Sequence, residues 1–116
     1  MVTVDDVRRV ARALPRTTEH VIRDRVKFRV GQLVYVAFSR DETLMGFAFP
    51  KEERAGLVAS DPDTFLLPSE GDLRFNWVEA RTAMLEVEEM TELVTEAWAM
   101  VVPKGVARDH LEGQGP

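Results

Sequence analysis

Four positively charged side chains occupy alternate positions of one short segment, and this spacing suggests that they bind an anionic partner. Residues 22–30 read IRDRVKFRV, and the alternate set is Arg23, Arg25, Lys27 and Arg29, here named the basic strand face. Successive side chains of a strand point to opposite faces, so these cations would share one face at intervals of about 6.6–7 Å. That interval is close to the phosphate spacing along one nucleic-acid strand, and Lys and Arg contacts to phosphates supply most non-specific affinity. The pattern predicts weak, backbone-type DNA contact, which positions a protein without reading sequence.

Two other interpretations of the basic strand face stay open. Antiparallel sheets often have one solvated face, and cross-strand partners or Asp24 could neutralise the cations there. Another anionic partner or an acidic protein is the second alternative. For the domain as a whole, the alternative to DNA binding is a protein–protein interaction or chaperone-like adaptor function, in which sheet faces and apolar grooves hold segments of an unknown partner. A further basic line on the predicted first helix, containing Arg8 and Arg12, would join the same surface if that helix borders the strand. The predicted nucleic-acid-binding residues are therefore Arg23, Arg25, Lys27 and Arg29, with Arg8 and Arg12 at the margin.

The charge is distributed unevenly along the chain. Residues 1–30 contain eight Arg or Lys and four Asp or Glu, whereas the remaining 86 residues contain seven and sixteen. The net charge is −5, so indiscriminate binding to nucleic acid is disfavoured and any such binding needs a local cationic surface.

Length and composition predict one cytoplasmic domain. A chain of 116 residues has the common size of a single domain, and it contains no cysteine, no secretion signal pattern and no apolar run long enough to span a bilayer. We predict a domain over residues 1–104 and a weakly ordered tail over residues 105–116, where periodicity is weak and glycines come late.

The sequence contains few residues in patterns that indicate an enzyme. His20 and His110 are the only histidines, and neither belongs to a pattern with metal-ligand spacing. No Gly-x-Ser-x-Gly motif is present, and a turn and a helix surface explain the acidic residues between 86 and 96. We predict a protein that is not an enzyme and uses no metal or cofactor.

The surrounding pattern predicts an α+β domain with helices packed on one face of a twisted antiparallel sheet. Thr3 and Thr91 can each cap a helix, because a threonine hydroxyl accepts from the free amides of a first turn. Alternation between residues 20 and 49 predicts a meander of three strands, the first of which carries the basic strand face. A short helix, two strands and a last helix follow, so the predicted order is α-β-β-β-α-β-β-α in two layers.

Three further positions carry predictions about packing. Gly46, inside a predicted strand, marks a bulge or a close approach of another group. Trp98 lies in an apolar helical stripe and is predicted to be core. Trp77 shares a strand face with Phe75 and Glu79, and it is either a core residue or a platform for base stacking.

Several short segments also occur in a recognisable order and spacing. They are VRRVARALPRTTE, KFRVG, DPDTF, NWVEA and LVTEAWAMVVPK. Together they resemble the MmcQ/YjbR family of small bacterial proteins over residues 3–104. The resemblance implies a fold similar to CyaY-like and secretion-chaperone-like domains. Family members are commonly described as DNA-binding on the strength of that fold, in a double-wing arrangement.

The resemblance transfers no catalytic residues, because the family has no agreed catalytic motif. The chain departs from the family pattern where relatives often have an aromatic residue and a proline, since Val21, Ile22 and Val26 stand here. After Gly31 many relatives have a glycine and a lysine, whereas this chain has Gln32 and Leu33. The second departure removes one positive charge that would bind an anion.

Overall fold

The computed structural model describes residues 1–113. These residues form two layers, an antiparallel sheet and the helices that pack on it. The strands of this range are β1 (Thr17–Ile22), β2 (Arg25–Val30), β3 (Leu33–Phe38), β4 (Leu44–Ala48), β5 (Phe65–Leu66) and β6 (Trp77–Arg81). The helices are α1 (Val4–Arg12), α2 (Arg54–Ser60), α3 (Val87–Ala99) and α4 (Lys104–Gly113). The strands form one antiparallel sheet in the order β1-β2-β3-β4-β6-β5, and the predicted α+β class is confirmed.

The hydrophobic core lies between the sheet and helices α1 and α3. Phe28 of β2 and Phe47 of β4 are fully buried, as is Trp98 of α3, so the prediction of a core tryptophan is confirmed. Val7 is fully buried on the apolar stripe of α1. Because strand residues alternate between faces, the neighbours of Phe28 on β2 point to the side of the sheet opposite to the core, here named the open face.

Helix caps show what a local pattern can predict. Thr3 Oγ1 accepts a hydrogen bond from the Asp6 amide, and the Asp6 carboxylate accepts one from the Thr3 amide, so the predicted cap of α1 is confirmed. The cap predicted at Thr91 is wrong, because α3 begins after Glu86 and the Thr91 hydroxyl donates to the Val87 carbonyl inside the helix. Threonine makes both kinds of bond, so its presence alone does not locate a helix start.

The structure adds an edge strand, β1, to the predicted order. Residues 22–30 are not one strand, because Arg23 and Asp24 form a two-residue turn in which both φ angles are positive, 54° and 64°. Such a turn matches the twist of a hairpin and pairs Ile22 with Arg25. Alternation continues on both sides of a two-residue turn, which is why the sequence pattern resembled one uninterrupted strand.

This turn offers a test of backbone strain. Arg23→Asn combined with Asp24→Gly is expected to raise the free energy of unfolding by about 1 kcal/mol, because Asn-Gly is favoured where both φ angles are positive. Urea unfolding followed by circular dichroism measures the change. Gly31→Ala provides a contrast of opposite sign, since Gly31 has φ 57° with no atom near its absent side chain. A loss of stability in the Asn-Gly variant would contradict the strain argument.

Helix α4 is the second added element. Lys104–Gly113 is helical, and its residue Ala107 is buried against the core. The predicted tail began at residue 105, and its weak order stays a prediction, with residues 114–116 lying outside the described residues. Within residues 1–113, none of the helices combines the length and the apolar character needed to cross a membrane.

Candidate nucleic-acid interface on the open sheet face

Three cations of strand β2 lie side by side on the open face. Arg25, Lys27 and Arg29 alternate with the core-facing residues, and all three are half-buried. Nε of Arg25 donates to the Phe38 carbonyl at 2.9 Å. One terminal nitrogen of Arg29 lies 2.9 Å from Nε2 of His20, while its buried Nε has no hydrogen-bond partner in the described part of the chain. These contacts place the three charges on β2 without neutralising them.

The same three cations have no carboxylate partner among residues 1–113. The ion pairs of this range all involve α1, and none involves β2. The Lys27 side chain makes no hydrogen bond there either. Within residues 1–113 no carboxylate lies within ion-pair distance of these half-buried charges, so an anion on this face would gain more interaction energy than one at a fully solvated lysine.

Arg23, the fourth predicted residue, does not share this face. It lies exposed in the β1–β2 turn, where its carbonyl accepts a hydrogen bond from Nε of Arg40 at 3.1 Å. Arg40 and Arg25 together line a shallow depression beside the turn. The charge that the turn removes from the strand is therefore replaced at the end of the sheet by Arg40, which sequence reasoning missed.

Arg8 and Arg12 belong to the opposite side of the sheet. A terminal nitrogen of Arg8 lies 2.9 Å from Glu19 and one of Arg12 lies 3.2 Å from it, and Arg8 also pairs with Asp5. Glu19 pairs with the buried Phe28 across β1 and β2, so it points to the helix-covered face. The helix and the basic strand face are thus not brought together into one surface.

The pairing of Glu19 predicts a pH dependence of stability. Hydrogen bonds from Arg8 lower the pKa of the Glu19 carboxyl below its ordinary value of 4.5, with the charges of Arg8 and Arg12 adding to this effect. A carboxyl whose pKa is lowered by folding stabilises above its unfolded pKa, and the contribution disappears as the pH falls through the folded pKa. Glu19→Gln is therefore expected to cost about 1 kcal/mol at pH 7 and little at pH 3.

Urea unfolding of wild type and Glu19→Gln between pH 7 and pH 3 measures that difference. The two curves should converge as the pH falls below about 4.5. A difference of constant size across the range would show that the variant acts through packing and not through charge.

A cavity of about 530 Å³ opens beside Arg25 and Lys27 on the open face. Ala37 and Ala48 contribute small side chains to its lining, and Trp77 lies on the other side from the cations. The lining also includes Asp72, Phe75 and Asn76, which precede β6. Its composition combines positive charge with aromatic surface, which is typical of sites for planar anionic ligands.

Trp77 rests on the sheet because position 46 is glycine. A side chain built at Gly46 would place its Cβ atom 2.5 Å from Nε1 of the Trp77 indole. The prediction of a close approach at Gly46 is thereby confirmed. Val78 and Ala80 are the buried residues of β6, so Trp77 and Glu79 lie on the open face, and Trp77 is half-buried there.

Arg54 holds the segment that carries the aromatic residues. Its guanidinium donates to the Phe75 carbonyl at 2.8 Å and to the Trp77 carbonyl at 3.3 Å, and it also bonds the Leu73 carbonyl. The Lys51 amide adds a bond of 3.0 Å to Oδ1 of Asn76. The start of α2 thus fixes the backbone beside the cavity, a role that no sequence signal indicated.

Glu79 is the acidic residue among the cations. Burial raises the pKa of its carboxyl above the ordinary value, the Asp72 carboxylate raises it further, and the charge of Arg25 acts in the opposite direction. Glu79 pairs with Gly46 across β6 and β4, while Lys27 pairs with Ala37, so small residues separate the acid from the lysine. The open face therefore becomes more positive as the pH falls toward the pKa of Glu79.

Comparison with known families places most of the chain in one of them. The family model described as YjbR matches residues 12–100. The chain belongs to the YjbR family. The cations of the open face and both aromatic residues beside the cavity fall inside the matched range.

Proteins similar to this chain over its whole length occur in mycobacteria. The uncharacterized proteins Rv2570 of Mycobacterium tuberculosis and Mb2600 of Mycobacterium bovis are each 30% identical to this chain over an alignment of 134 positions including gaps, which covers 99% of this chain and 100% of each relative. The crystal structure of Deinococcus radiodurans protein DR2400, with a domain of the family model DUF419, is 23% identical. It superposes with a TM-score of 0.75 and covers 97% of this chain and 89% of that one, which supports the same fold.

Proposed function

We propose that this YjbR-family domain is a non-catalytic nucleic-acid-binding protein whose open face contacts phosphates through Arg25, Lys27 and Arg29. One observation carries the proposal, namely the contrast between two sets of cations. Arg8 and Arg12 of α1 are paired with Glu19, whereas the three cations of β2 have no carboxylate partner among residues 1–113. Cations that the protein leaves unpaired on a half-buried face are suited to an anionic partner.

The geometry of β2 suits a chain of phosphates better than a single anion. Side chains at alternate strand positions recur at about 6.6–7 Å, so neighbouring cations can reach successive phosphates of one strand. These contacts carry no base information and make binding strongly dependent on salt. With three phosphates neutralised, the slope of log affinity against log salt is expected to be about −2.1 for single strands and about −2.7 for duplex.

Anisotropy of labelled single-stranded and duplex DNA at several salt concentrations tests the proposal. Arg25→Glu combined with Lys27→Glu should reduce the magnitude of the slope by about 1.4–1.8 and weaken binding at low salt. Lys27→Glu alone is the safer variant for folding, because the Lys27 side chain makes no hydrogen bond among the described residues, whereas the Arg25 side chain donates to the Phe38 carbonyl.

A matched control separates a local surface from overall charge. Arg9→Glu combined with Arg12→Glu also changes the net charge by −4, and the two side chains are 80% and 68% exposed on α1. This control should bind DNA nearly as well as wild type. Equal loss in both double variants would mean that net charge alone governs binding, and the absence of binding by wild type near 50 mM salt would refute the proposal.

Binding of a protein segment is the second candidate function, because apolar side chains surround the same cavity. Leu33 is 56% exposed and Phe75 is 50% exposed, and both line it. Exposed apolar groups beside a cavity are typical of sites for peptide segments. Binding that is insensitive to salt and to the Lys27→Glu exchange would favour this function over DNA binding.

A further inference from the structure

We propose that the cavity on the open face holds one unstacked nucleotide of a single strand, with its phosphate at Arg25 and Lys27 and its base against Trp77. This inference rests on the proposed function and names the unit that its site takes. The inference follows from the arrangement of cations and aromatic rings around one cavity. Binding to phosphates alone would require the cations but not the rings.

The size and lining of the cavity fit one such unit. Its volume of about 530 Å³ falls within the usual range of small-molecule sites, about 300–1,000 Å³. Arg25 and Lys27 lie on one side, and Phe75 and Trp77 lie on the other. A nucleotide has the same division, since its phosphate is anionic and its base is planar and apolar on both faces.

The aromatic side of the cavity is held in place before any ligand arrives. Arg54 bonds the backbone on both sides of Asn76, at the carbonyls of Phe75 and Trp77. The guanidinium of Arg74 lies 4.7 Å from the centre of the Phe75 ring and covers one of its faces. Rings that are already ordered lose little conformational entropy when a base stacks on them, so the arrangement favours stacking.

Asp72 restricts which nucleotides fit. It is the acidic residue in the cavity lining, within the described part of the chain, and a carboxylate there repels additional phosphates. It can accept a hydrogen bond from an amino or imino group of a base. We therefore expect a monophosphate to bind at least as well as the corresponding triphosphate.

A base inside a duplex cannot present its face to these rings, because its neighbours cover both sides. Aromatic stacking of this kind is the basis of single-strand binding, whereas cations on a strand contact duplex and single-stranded backbones alike. The cavity thus predicts a preference for single strands. The phosphate contacts by themselves predict no such preference.

Nuclear magnetic resonance of the two tryptophan indoles tests this assignment. Trp77 lines the cavity, while Trp98 is fully buried with its indole N–H bonded to the Pro15 carbonyl, so Trp98 serves as an internal reference. Titration with deoxyadenosine monophosphate should shift the Trp77 indole signal saturably and leave the Trp98 signal in place. Deoxyadenosine alone and inorganic phosphate alone should each bind at least about tenfold more weakly, since each lacks one half of the contacts.

Anisotropy with a single-stranded oligonucleotide and its duplex provides the second measurement. Wild type should prefer the single strand by about tenfold, and Trp77→Ala should remove that preference without changing the salt slope. Trp77→Phe should restore part of it. Arg54 itself only positions the rings. Arg54→Ala should therefore weaken single-strand binding, while deoxyadenosine monophosphate at high concentration should still shift the Trp77 signal.

The outcomes separate this inference from the proposed function. Equal affinity for both oligonucleotides with salt slopes that depend on Lys27, together with an unmoved Trp77 signal, would overturn the nucleotide cavity and leave the backbone contacts standing. Equal shifts with inorganic phosphate and with the nucleotide would also overturn it, because the base would then contribute nothing. Failure of both oligonucleotides to bind would refute both proposals.

Discussion

Replacing Trp98 with alanine is expected to lower the free energy of unfolding by about 3–5 kcal/mol. Trp98 is fully buried on α3, and its indole N–H donates to the Pro15 carbonyl at 2.8 Å. Its ring also meets His110 of α4 edge-on, with the centres 5.1 Å apart. Alanine would leave a large cavity and would deprive the Pro15 carbonyl of its donor, so two kinds of cost combine.

Urea unfolding followed by circular dichroism measures the loss, and amide hydrogen exchange locates it. Because Trp98 contacts α4, exchange in Lys104–Gly113 should accelerate more than exchange in the sheet. Trp98→Phe is the matched variant, since it keeps an aromatic ring and loses the N–H donor, and it should cost about 1–2 kcal/mol. A loss below about 1 kcal/mol for Trp98→Ala would contradict the assignment of Trp98 to the core.

Replacing Gly46 with alanine is expected to cost about 1–3 kcal/mol, the range for overpacking. The added Cβ atom would lie 2.5–2.8 Å from three atoms of the Trp77 indole, closer than real contacts allow. The Gly46 backbone is held by pairing with Ala37 and Glu79 on either side, so we expect the indole to shift away from the sheet. The cost is therefore the lost burial of Trp77 against the open face.

Fluorescence and urea unfolding together test this prediction. The emission of Gly46→Ala should shift to longer wavelength, since Trp77 becomes more exposed while Trp98 stays buried. Gly71→Ala is the control, because no atom lies within 4 Å of its added side chain, and it should change stability by less than about 0.5 kcal/mol. An unshifted spectrum with unchanged stability would mean that Trp77 does not rest on Gly46.

Local patterns in the sequence predicted much of the fold. The capping residue Thr3, the apolar stripe of α1 and the core position of Trp98 all follow from residues within one or two helical turns. The α+β class likewise follows from a change of period between helices and strands. The turn at Arg23 and Asp24 escaped prediction because neither residue is a glycine and alternation continues across it.

The candidate site was predictable only in part. Alternation correctly brought Arg25, Lys27 and Arg29 to one face, but it also included Arg23, which the turn removes. The resemblance to the MmcQ/YjbR family supported the fold and transferred no individual site residue. The cavity depends on side chains that are far apart in sequence, so no local pattern could have located it.

The sequence by itself determined that this is an α+β domain of the YjbR family with cations at alternate positions of one strand. The reason is that periodicity, capping and alternation depend on neighbouring residues. Only the tertiary structure decided which cations form ion pairs, since Glu19 pairs with Arg8 and Arg12 while no carboxylate in residues 1–113 lies within ion-pair distance of the β2 cations. It also decided that Trp77 faces the cations, because the pairing of β4 with β6 buries Val78 and places the indole on Gly46. Such pairings join residues that are distant in the chain, and the free energy of packing the whole core selects them.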